Sequence, residues 1–172
     1  MAQGTVFTED LLQSDTTNYF ELECYLKQKA PNDSPFKVEK RTDLLTGIEK
    51  IKTSLGLNPI FILAFAIHES EWGRSQIAKN KNNLFGWGAF DDDPFNKAWT
   101  FENYQECIEV VMKAVKQSYL TVGGAFFNGV SLKGMNVKYA TDDNWASGIR
   151  TLMNEIDSFV LVLIKLGQLF VR

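Results

Sequence analysis

Apolar residues recur at helical spacing in several separate stretches of this chain. Residues 18–29 read as a short helix, followed by a loop at Ala30-Pro31-Asn32-Asp33-Ser34-Pro35. Leu44, Leu45, Ile48, Ile51 and Leu55 repeat every three or four positions, which predicts a helix over 43–55 closed by Gly56. A third helix starts with Asn58 as N-cap and Pro59 in its first turn. Its body, Ile60 to Ile67, is apolar on every face, so it is expected at the centre of the molecule. It ends in His68-Glu69-Ser70-Glu71-Trp72-Gly73, with Gly73 as the expected stop. Residues 74–100 read as loop, with room for a small β-hairpin. Asn103 and Glu106 form a capping box, and Tyr104, Ile108, Val111, Met112, Val115 and Tyr119 make the amphipathic helix that follows. The glycine-rich stretch 121–138 reads as a long loop, and a last helix runs from near Asp142 into an apolar tail, Phe159 to Val171.

At 172 residues the chain is long enough for one domain with a sizeable core. A net charge of −3 gives no basic face for phosphates, which argues against a nucleic-acid partner. No run reaches the ~18 apolar residues of a membrane span. Met1 to Asp15 shows neither the basic nor the apolar region of a secretory signal. Residues 1–18 are polar and turn-rich, and poor order is expected at the start. Cys24 and Cys107 are too few for a disulfide framework and read as free thiols.

The chemistry is narrowed by there being one histidine, His68. A zinc site with two or three His ligands is excluded. Any Ser-His-Asp or Cys-His site would have to use His68, which reads instead as a packed residue. Carboxylates remain. Glu69 stands at the C-terminal end of an apolar helix, where desolvation and the negative end of the helix dipole both favour the neutral acid. Such a group suits general-acid work at neutral pH. Glu71, two residues on, points to another face, and physics alone does not choose between the two. Asp91-Asp92-Asp93-Pro94 reads first as a solvated turn; it lacks the spacing of a calcium loop.

Three segments carry a resemblance. NPIFILAFAIHESEWGRS, residues 58–75, resembles the catalytic helix of the bacterial and phage peptidoglycan glucosaminidase domains (glycoside hydrolase family 73, autolysin-type endo-β-N-acetylglucosaminidases). NNLFGWG at 82–88, leading into AFDDDPF, is similar to the family's NLFGI segment and the acidic stretch after it. YATDDNWA at 139–146 is similar to the family's YATDPNYA. The resemblance implies a mostly α, lysozyme-like helical domain with a small β-lobe beside a substrate groove. It covers a catalytic domain at 19–157, between an N-terminal segment, 1–18, and the apolar tail, 158–172.

The implied activity is hydrolysis of the β-1,4 bond after N-acetylglucosamine in peptidoglycan glycan strands. Glu69 takes the place of the catalytic acid, Asp91 that of a second carboxylate, and Tyr139 that of a site residue beside the scissile sugar. Trp72, Asn83, Phe85 and Trp87 are the candidate substrate-binding residues. No metal or cofactor is expected. Action outside the cell is implied, by secretion, as a phage lysin or on a virion. The alternatives are a lytic transglycosylase and a catalytically inactive wall-binding or virion module on the same fold. Glu71 stands where the family often has Gly, and the segment between Asn83 and Phe101 is short for its lobe. The tail lies outside the pattern and is expected to mediate self-association or attachment to a larger particle.

Overall fold

The computed structural model describes residues 11–12, 16–89 and 93–170, the side chains of 169 and 170 excepted. Helix α1, Tyr19–Lys29, begins with a complete capping box: Asn18 accepts from the amides of Phe20 and Glu21, and Glu21 accepts from the Asn18 amide at 2.6 Å. Helix α2, Arg41–Leu55, ends at Gly56 in the left-handed conformation, as its sequence predicts. Helix α3, Pro59–Ser70, is capped by Asn58, whose side chain accepts from Ile60 and Phe61. Every residue from Ile60 to Ile67 is buried. At roughly 1.5–3 kcal/mol for each large aliphatic or aromatic side chain, this helix anchors the core.

Helix α4 is Gln76–Lys81 and α5 is the single turn Pro94–Lys97. Helix α6, Tyr104–Tyr119, is capped by Asn103 and buries Tyr104, Cys107, Ile108, Val111, Met112, Val115 and Tyr119 along one face. Glu106 closes the cap one residue further out than the sequence predicts, accepting from the Glu102 amide at 2.6 Å. Helix α7, Leu132–Tyr139, falls in the glycine-rich stretch read as loop, with Ser131 as its cap. Helix α8, Trp145–Phe170, packs along α3, α1 and α7, while α2 packs along α6. Gly47 permits that last contact, since a Cβ there would lie 3.1 Å from the Gln105 Cα and the Ile108 Cβ.

The expected β-lobe is not shown: among the described residues there is no strand. Residues 82–89 and 93–101 are tied by two backbone bonds, Trp99 to the Trp87 carbonyl and Phe101 to the Lys81 carbonyl, and by asparagine side chains. The Asn82 amide donates to the carbonyls of Phe101 and Glu102, and the Asn83 amide to those of Trp87 and Trp99. Asn82, Gly86 and Gly88 all have positive φ, a succession of turns that no regular strand accommodates. The expectation for residues 1–10 and the acidic residues Asp91 and Asp92 lie outside the described residues.

The apolar tail is a direct continuation of α8. Its inner face is anchored by Phe159, edge-on to Tyr25 at 5.5 Å, and by buried Val160. Leu161, Val162, Ile164 and Leu166 are exposed. No helix among the described residues is long and apolar enough to cross a membrane. Val160→Ala should therefore cost about 2 kcal/mol, whereas Val162→Gln should stay within about 0.5 kcal/mol of the parent. Urea unfolding followed by circular dichroism measures both, and equal effects would contradict this packing.

Candidate active site

The site is built by the turn that ends α3. Ser70 is buried; its hydroxyl donates to the Ala66 carbonyl and accepts from the Gly73 amide at 2.8 Å. The helix stops earlier than Gly73, because Glu71, Trp72 and Gly73 have φ of 53°, 64° and 75° in succession. Left-handed backbone costs a non-glycine residue roughly 1–2 kcal/mol, which explains why glycine suits the position of Glu71. The turn is held by the Trp72 amide on the Ile67 carbonyl and the Ser34 hydroxyl on the Trp72 carbonyl, at 3.1 and 2.6 Å. A side chain at Gly73 would collide with Phe36, its Cβ 2.7 Å from the ring.

This turn separates the two glutamates. Glu71 is exposed. Glu69 is half-buried, and its carboxyl accepts a hydrogen bond from the indole Nε1 of Trp145 at 2.5 Å. Burial raises the Glu69 pKa above the usual carboxylate value, and the indole bond works against that rise. The Glu69 carboxyl is thus desolvated, as its position at the end of an apolar helix predicts.

An aromatic wall stands beside it. Tyr139 stacks on Trp145 with centroids 5.0 Å apart and meets Phe65 edge-on at 5.2 Å and Tyr119 at 5.5 Å. Burial, with the negative charge of Glu69 adding to it, holds the Tyr139 phenol well above its ordinary pKa. Tyr139 is therefore a neutral phenol at working pH and no base.

The other predicted residues divide. Trp72, half-buried, stacks on Tyr25 at 6.1 Å beside the turn. Trp87 is half-buried. Phe85 is 4% exposed and packs on Phe65 within the core. Asn83 is 1% exposed; besides its two donated bonds it accepts from the amides of Phe85 and Trp87. Its amide is thus committed to the loop. Asp91 lies outside the described residues, while Asp93 caps α5.

One neighbour of Glu69 was not legible as a site residue. Trp145 appears in sequence only within the YATDDNWA segment, with no role of its own; its contact to Glu69 spans 76 positions. Trp99, 54% exposed, lies across Gly88, where a Cβ would sit 2.3 Å from its ring. His68 is half-buried and faces α8 at Gly148, where a Cβ would lie 2.7 Å from the imidazole. Burial lowers its pKa, against the pull of Asp142. Among the described residues, no group of three or more His, Cys, Asp or Glu side chains is placed to hold a metal.

A family model described as mannosyl-glycoprotein endo-β-N-acetylglucosaminidase matches residues 46–158, from mid-α2 into α8. The chain belongs to this glucosaminidase family. The match includes Glu69, Tyr139 and Trp145. Two Streptococcus pneumoniae proteins, of strains TIGR4 and R6, carry the provisional name endo-β-N-acetylglucosaminidase. Each is 41% identical to this chain over 101 residues, 59% of its length. The aligned glucosaminidase segment spans only 15% and 14% of those relatives.

Among solved structures, Staphylococcus aureus autolysin E in complex with the muropeptide NAM-L-Ala-D-iGlu superposes with a TM-score of 0.64 at 21% identity. That match covers 86% of this chain and 70% of the other. A catalytic mutant of autolysin E with the disaccharide NAG-NAM gives 0.64 at 20% identity, over 91% and 73%. These likenesses establish a shared, mostly helical fold.

Two predictions follow from the glucosaminidase site. A carboxyl whose folded pKa is raised contributes stability that is lost as pH rises through that pKa. Glu69→Gln, which never ionises, should therefore gain in melting temperature relative to the parent as pH increases from the ordinary carboxylate range upward. A constant difference across the pH series would mean that Glu69 is not desolvated. Gly148→Ala should drive α8 from His68, destabilise the fold by about 1–3 kcal/mol and lower activity; thermal melts and turnover assays read both.

Proposed function

We propose that this chain hydrolyses the β-1,4 bond after N-acetylglucosamine in bacterial cell-wall peptidoglycan, with Glu69 as the general acid. The observation that carries this reading is a desolvated carboxyl at the family's motif position, held beside the Tyr139–Trp145 wall. Burial keeps the proton on Glu69 at a pH where an exposed carboxylate has lost it. In the reaction Glu69 gives its proton to the glycosidic oxygen. The electron pair of the breaking bond leaves with that oxygen, and positive charge develops on the sugar ring.

Asp91 is the candidate to activate water or stabilise the cationic sugar, by its place in the acidic stretch after 82–88. The 2-acetamido group of the substrate is the alternative internal nucleophile. Tyr139, a neutral phenol, can offer a hydrogen bond to the sugar but takes up no proton. The substrate lies in the cell wall, so action outside the cell belongs to the same proposal.

Glu69→Gln should keep the fold and lose about 10²–10⁴-fold in wall-lytic activity, whereas Glu71→Gln should lose far less. Activity of Glu69→Gln within a few-fold of the parent would sink the assignment. Mass spectrometry of digested wall should find reducing N-acetylglucosamine ends; 1,6-anhydromuramyl ends would instead identify a lytic transglycosylase. Asp91→Asn should cost more activity than Asp92→Asn or Asp93→Asn, and equal, mild effects would make the acidic turn purely structural.

A further inference from the structure

We infer that Trp145 is the positioning residue of the acid: its indole N–H fixes the Glu69 carboxyl so that Oε2 carries the transferred proton. This rests on the reading of Glu69 as general acid. The indole nitrogen is a donor only, so the bond at 2.5 Å marks Oε1 as the accepting oxygen. A neutral carboxyl accepts best through its carbonyl oxygen, which leaves the hydroxyl on Oε2.

Trp145 is itself over-determined. It is 4% exposed, stacks on Tyr139 at 5.0 Å and meets Phe65 edge-on at 5.6 Å. The backbone that delivers it is tied by Asn136. The Asn136 amide donates to the carbonyls of Ala140 and Asp142, and its oxygen accepts from the Ala146 amide. Gly148, one turn on, lets α8 approach α3 closely enough for the indole to meet the carboxyl. The YATDPNYA pattern that residues 139–146 resemble has tyrosine where this chain has Trp145.

The bond changes character during the reaction. As Oε2 passes its proton to the glycosidic oxygen, Glu69 becomes a carboxylate and the indole bond becomes charge-assisted. An interaction that strengthens along the reaction acts on kcat and leaves substrate binding alone. Because it favours the carboxylate, it also sets the pH above which the acid is spent.

Trp145→Phe keeps an aromatic ring and removes the donor. Assayed on purified glycan strands, it should lower kcat about tenfold or more with little change in KM. The alkaline limb of its pH–rate profile should move to higher pH, since the group that favoured the ionised form is gone. An unmoved limb, or a loss confined to KM, overturns the inference. Should this variant fail to fold, the parent chain supplies the test by NMR. The Trp145 indole proton should titrate with the alkaline limb and cease to do so in Glu69→Gln; a resonance indifferent to pH across that limb overturns the inference. Full activity in Glu69→Gln would remove the general-acid reading itself. An inactive Glu69→Gln beside an unmoved Trp145→Phe limb would remove only the role of Trp145.

Discussion

Eight consecutive apolar side chains, Ile60 to Ile67, leave α3 no face for water, so the rest of the chain has to surround it. That requirement fixes the site. The first polar residues after the apolar run, His68 to Ser70, emerge where the helix leaves the core, still close to α8 and its aromatic residues. Ser70 turns the chain sharply enough that Glu71 faces solvent while Glu69 does not. The desolvation of Glu69 is thus a by-product of burying the helix it terminates.

Burial alone would make the acid reluctant to release its proton. The opposing element is Trp145, whose N–H favours the ionised form. Two pressures of opposite sign thus act on one carboxyl, with burial the larger. Tyr139, also desolvated and kept neutral, brings no competing charge to the pair.

Helices with strong periodicity and unambiguous caps were legible in the chain: Asn58 and Asn103 both cap where the sequence places them. Glu69 was legible as a candidate because helix position and apolar context are local properties. What escaped were features made by distant pairs. The indole on Glu69 joins positions 76 apart, and no periodicity reports that. Helix α7 was hidden because Gly134 lowers helix propensity, yet Gly134 is small because a Cβ there would lie 2.5 Å from the Gly129 carbonyl oxygen. Residues 82–101 misled in the other direction. Their glycines and asparagines suit hairpin turns, yet no strand forms among the described residues, and the Asn82 and Asn83 amides reach facing carbonyls beside two backbone bonds.

The thiol of Cys107 also serves that loop. It is buried in α6 and accepts the Leu84 amide at 3.3 Å, and burial pushes its pKa up to about 12. So little thiolate exists in the native state that alkylating reagents and mild oxidants have almost nothing to attack. Cys24, in α1, is only half-buried and open to reagents. The two thiols therefore divide into a static marker and a clock: modification of Cys24 counts molecules, while modification of Cys107 times the moments at which the loop lifts from α6.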